Sequence, residues 1–231
     1  MKGLVVPVNK HFQRDLHRLN LDLLTMSGLV EEMIDKAVRT LHQHSASLAR
    51  EVIESDKEID SREVHIEEEC LKMLALHQPV ATDLRRLSTV LKINRELEEI
   101  ADLAENTATH AQTLSAFHDY PPVRRLEWML GRASNMVRLA IDAYVRMSSS
   151  EAEHVRQLDD EVDNELRAIV TEIEALYPAR PDQFDTLIHC FAAARDVERM
   201  ADHARNIAKA IIYLIEGRIV RHTSRLASES S

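Results

Sequence analysis

The 231 residues suffice for one large domain or two smaller ones, and an apolar content of 45% can build a sizeable core. An aromatic content of 4% and only four glycines argue against β architecture, and a net charge of −10 argues against nucleic-acid binding, which needs a dense basic surface. No apolar run approaches the roughly 20 residues that span a bilayer, and the apolar stretch in Met1–Pro7 is too short for a signal peptide; a cytoplasmic protein is expected.

In chain order, the predicted elements are helices near 8–43, 47–77, 80–116, 122–148, 151–176 and 182–216. Their limits follow from the breaks. Pro7 precedes the first, Pro79 follows the second, Pro121 and Pro122 split the chain, Pro178 and Pro181 bracket a further break, and Gly217 stops the last. Ser45 to Ser47 and Ser148 to Ser150 supply short turns, and the second run can cap the helix after it. The third segment places Val90, Ile93, Leu97, Ile100, Ala104, Thr107, Ala111 and Leu114 at alternating spacings of three and four, which is a buried helical stripe. The sixth repeats it with Ala193, Val197, Met200, Ala204, Ile207, Ile211 and Leu214. The Ser-rich stretch Thr223 to Ser231 reads as a frayed end.

The chain repeats itself. Gly28/Gly131, Met33/Met136, Ala37/Ala140, Val52/Val155, Asp56/Asp159 and Asp60/Asp163 are each 103 residues apart. The stretches Leu97 to Ala108 and Val197 to Ala208 match at an offset of 100, so three residues are lost near Pro79 or Pro178. Three long amphipathic helices with short loops pack as an antiparallel bundle. The expected fold is all-α: two tandem three-helix bundles related by internal duplication, at 1–118 and 119–217, with a tail at 218–231.

Both matched stretches carry acids in one register. With Leu97 and Ile100 in the core, Glu98, Asp102 and Asn106 line the outer side of the helix, and Glu198, Asp202 and Asn206 do the same. A second ladder, Asp56, Asp60, Glu63 and Glu67, lies on the second helix, with Asp159, Asp163 and Glu165 on the fifth. Side by side, these helices bring Asp60 and Asp163 toward the outer ladders. Such a stripe is ordinarily a solvated face; its duplication, with Asn in the same third place, favours an oxygen-rich site for a hard cation such as Mg²⁺, Mn²⁺ or iron.

Other chemistry has weaker support. Cys70 and Cys190 lack partners at metal-ligand spacing and read as buried thiols of a reducing compartment. His42, His44, His65, His77, His110, His118, His154 and His189 form no paired motif, and surface or capping roles are expected. His203 abuts Asp202, but Leu103 holds the equivalent place, so a duplicated site does not require it. There is no nucleophile elbow and no glycine-rich phosphate loop. Asp83-Leu84-Arg85-Arg86 opens the third helix with an acid and then bases. Glu151-x-x-His154 matches half of the ferritin-like carboxylate motif, and a di-metal oxidoreductase is the alternative reading, though it needs acids inside the bundle.

Four stretches resemble the PhoU family: Val52 to Asp60, Gln78 to Arg85 and the paired signatures at Leu97 and Val197. The run Glu216-Gly217-Arg218-Ile219-Val220-Arg221-His222 is similar to that family's end. The resemblance covers nearly the whole chain in order. It implies a non-enzymatic cytoplasmic negative regulator of phosphate uptake and of phosphate-starvation signalling. The implied partners are the ATPase of a Pst-type phosphate transporter and a phosphate-sensing histidine kinase, with contact to membrane complexes at their periphery and no nucleic acid. A homodimer is expected. The family's E(D)-x-x-x-D motifs hold metal, which here implies Glu98/Asp102 and Glu198/Asp202 with Asp60 and Asp163 added, around a divalent or trivalent ion (Mg, Mn, Fe or Zn). The chain departs from the family at Glu99 and Ala101, at Arg199 and Ala201, where Arg-x-Gly is frequent, and at Leu103, where His is common.

Overall fold

The computed structural model describes residues 10–43, 45–114 and 121–218. Regular structure within them is helical: α1 (Lys10–Gln43), α2 (Ala46–His77), α3 (Ala81–Leu114), α4 (Pro121–Arg146), α5 (Ser149–Leu176), a single 3-10 turn at Pro181–Gln183, and α6 (Phe184–Glu216). His44, His118, the stretch from Ile219 to His222, the expected frayed end and the helix ends expected at 8–9 and 115–116 lie outside the described residues.

Local chemistry sets the boundaries. Ser45 accepts a hydrogen bond from the Leu48 amide at 3.4 Å and Ser148 from the Glu151 amide at 3.2 Å, so each serine caps the following helix. Met147, at φ 51°, turns the chain out of α4 before Ser148, which is why α4 ends and α5 begins two residues ahead of the expected limits. Gln78 (φ 44°) ends α2 just before Pro79. The three-residue deficit is spread over the last two helices and their connection: α5 ends four residues sooner than α2, the connection after it is four residues longer (177–183 against 78–80), and α6 begins three residues nearer its signature than α3 does.

Every residue expected in the α3 and α6 stripes is buried. Each half packs its three helices on one another, and α3 and α6 form the broadest seam between halves. They run antiparallel: Glu96 meets His203, His110 meets His189, and Lys92 lies 4.9 Å from the Tyr213 ring centre. The first and fourth helices cross the same junction, with Tyr144 donating to Asn20 at 2.6 Å and Ser134 to Asp35 at 3.0 Å. Buried apolar side chains of all six helices form one continuous cluster, so the duplicated bundles share a core. No helix among the described residues is long and apolar enough to cross a membrane.

Candidate metal centre

The α3 stripe puts Leu97, Ile100 and Ala104 inside, so Glu98 and Asp102 emerge on the flank that faces α2. From α2, Val52, Ile59 and Ile66 go inward, and Asp56 and Asp60 rise beside them, one helical turn apart. Asp56, Asp60 and Asp102 converge, each offering a carboxylate oxygen within 4.8 Å of the others.

Among the described residues no base pairs with Asp56, Asp60, Glu98 or Asp102. Burial pushes Glu98 up to about 7, and the charges of Asp102, Glu99, Glu63 and Asp60 add to the effect. Burial and the charges of Asp60, Glu105 and Asp102 push Asp56 up to about 6. Asp102 is raised by burial, Asp60 and Glu99. One oxygen of Asp56, Oδ1, is buried and has no hydrogen-bond donor among the described residues. Converging carboxylates, an orphaned oxygen and no basic partner among the described residues fit a hard cation, which would supply positive charge and take oxygen ligands.

The second half reuses these positions on α5 and α6 with a different result. Asp159, the counterpart of Asp56, is only 2% exposed. Its Oδ2 accepts from Arg205, whose guanidinium also pairs with Asp202, while Oδ1 meets no donor among the described residues. Burial raises the Asp159 carboxyl and Arg205 opposes the rise. Glu198, raised by burial and by Asp202, lies 3.5 Å from Arg195, and Asp163 lies 3.9 Å from Arg167. No trio of ligand atoms converges here among the described residues.

The asparagines stand apart from the carboxylates. Asn106 is exposed and outside the convergent trio. Asn206 donates to Glu96 at 3.3 Å and accepts from Lys209 at 3.2 Å, so it serves the α3–α6 seam. His203 does likewise, 2.7 Å from Glu96. His110 and His189 correct the expectation of surface or capping roles: their Nδ1 atoms are 3.0 Å apart across that seam, and Asp196 lies 3.8 Å from His110. Glu151, in the ferritin-like half-motif, pairs with Arg146 at 3.1 Å, and His154 is exposed, so that motif directs no ligand into the bundle. Cys70 and Cys190 are free and buried, with burial pushing each thiol up to about 12.

Two residues escaped the reading of the sequence as site components. Asp56 belonged to the α2 ladder, and its spacing of four from Asp60, repeated at Asp159 and Asp163, was the available signal. Arg205 was visible as the basic residue that replaces Glu105 in the second signature.

The PhoU domain model matches residues 23–111 and again 126–211. The chain is 35% identical, over 96% of its length and 87% of the relative's, to the phosphate-specific transport system accessory protein PhoU homolog of Pseudomonas putida. It is 31% identical, over 93% of its length and 91% of the relative's, to the phosphate-specific transport system accessory protein PhoU of Escherichia coli K12. The crystal structure of PhoU from Pseudomonas aeruginosa matches with a TM-score of 0.86 at 34% identity, over 90% of this chain and 100% of that one. The phosphate transport system regulatory protein PhoU from Streptococcus pneumoniae matches at 0.83 and 26% identity, over 91% of this chain and 99% of that one. With the domain matched in both halves and a relative 35% identical over 96% of this chain's length, the chain belongs to the PhoU family.

Proposed function

We propose that this chain is a cytoplasmic negative regulator of phosphate uptake and of phosphate-starvation signalling. It acts as a metal-binding helical adaptor, a homodimer in solution, between the ATPase of a Pst-type phosphate transporter and a phosphate-sensing histidine kinase. The names of its relatives support the place in phosphate transport. The observation that supports the metal is the convergence of Asp56, Asp60 and Asp102 beside Glu98. These residues would hold a divalent or trivalent cation, which would neutralise the face and tie α2 to α3. A rigid bundle surface whose charge depends on a bound ion is suited to docking a partner conditionally.

The test is recovery of partners from phosphate-replete cells. Tagged protein is expected to retain the transporter ATPase or the kinase, and an Asp60→Asn, Asp102→Asn variant is expected to retain at least tenfold less. Recovery of neither partner by the unaltered protein would overturn the adaptor role. Equal recovery by the variant would separate the adaptor role from the cation.

A further inference from the structure

The two halves place an unpaired and a paired acidic cluster on one scaffold. Asp56, Asp60, Glu98, Asp102 and Glu105 crowd the α2–α3 flank, and none of them forms an ion pair among the described residues. On the α5–α6 flank the counterparts are Asp159, Asp163, Glu198, Asp202 and, in place of Glu105, Arg205. Each of the four acids there has a basic partner: Arg205 for Asp159 and Asp202, Arg167 for Asp163 and Arg195 for Glu198. Lys209, one turn beyond Arg205, adds positive charge near Asp202 and Asp159, where the first half has Thr109.

We infer that Arg205 is the built-in cation of the second cluster, so that the first cluster takes a divalent metal ion and the second does not. The inference rests on the cation reading of the first cluster. A guanidinium is always charged, and its rigid fork can span two carboxylates. Here it joins α5 to α6 by bridging Asp159 and Asp202, the counterparts of Asp56 and Asp102 in the convergent trio. An incoming ion would have to displace it from a carboxylate that is 2% exposed, or lie beside it as a like charge. Asp159 Oδ1 has no donor among the described residues, but it is one oxygen, whereas a hard cation gathers about six. The family's metal chemistry is thus kept in one half and replaced by an internal ion pair in the other.

Paramagnetic broadening of amide resonances locates bound Mn²⁺ directly. Metal-free full-length protein titrated with Mn²⁺ should lose signals around residues 56–60 and 98–105 and keep those around 159–163 and 198–205. Glu105→Arg should weaken Mn²⁺ binding at the first cluster at least tenfold, and Arg205→Gln should bring broadening to the second. Should Arg205→Gln not fold, the unaltered protein and Glu105→Arg still decide. Broadening at both clusters of the unaltered protein would overturn the asymmetry while leaving the first cluster's cation standing. Broadening at neither would overturn both.

Discussion

Glu98 shows how an exposed-looking ladder acquires chemistry. Its spacing from Asp102 is a local matter of one helical turn, but its proton is held by burial and by acids that α2 brings alongside, among them Glu63 and Asp60. Such a group weakens the fold as pH rises. The unfolded chain releases the proton near 4.5 and the folded chain near 7, so between those values the folded state binds more protons and stability falls with pH. Above about pH 7 the loss from this residue is complete. Replacing Glu98 by Gln removes this contribution. In metal-free protein, thermal melts from pH 4 to 8 are expected to fall less steeply with pH for Glu98→Gln. At pH 8 its midpoint should lie roughly 1–3 °C above that of the unaltered chain, as relief of a few tenths of a kcal/mol or more implies. Saturating Mn²⁺ should reduce the difference, because a bound cation supplies the charge that Glu98 lacks.

Helix ends are written in few residues, and most were legible. Ser45 and Ser148 each cap the helix that follows, although a cap was expected only of the second run, and among the described residues the prolines fall outside the α-helices or in their first turns. Gly217 is the clearest stop. At φ 73° it occupies the left-handed region, its amide donates to the Tyr213 carbonyl at 3.0 Å, and a β-carbon would run into the Arg85 guanidinium. Arg85 has a flexible end and can move aside, so the lasting cost of Gly217→Ala is the backbone conformation, about 1 kcal/mol. That corresponds to a drop of roughly 2–4 °C in the melting midpoint of a chain this size, readable by circular dichroism. The changes around Pro178 were less legible, because an offset between repeats tells how many residues are missing and leaves open how two helices and their connection share the loss.

Over the whole molecule, the α3–α6 seam makes the two repeats one body. Glu96, His203 and Asn206 form a polar contact there, His110 and His189 another, and the buried cluster runs through all six helices. A half severed from its partner would expose the seam face of its third helix. Fragments 1–118 and 119–231 are therefore expected to associate or bind hydrophobic dyes when expressed singly, whereas the full chain melts in a single transition; size-exclusion chromatography and calorimetry check both. The six helices, the Ser148 cap, the duplication and the carboxylate ladders can be read from the residues alone, because periodicity and capping act within one helix or between adjacent ones. Tertiary structure decided which charges meet. Arg205 reaches Asp159 across 46 residues, His110 meets His189 across 79, and His203 finds Glu96 across 107. No local pattern encodes such pairings, since each depends on how two separately formed helices are rotated and set against each other once the core closes.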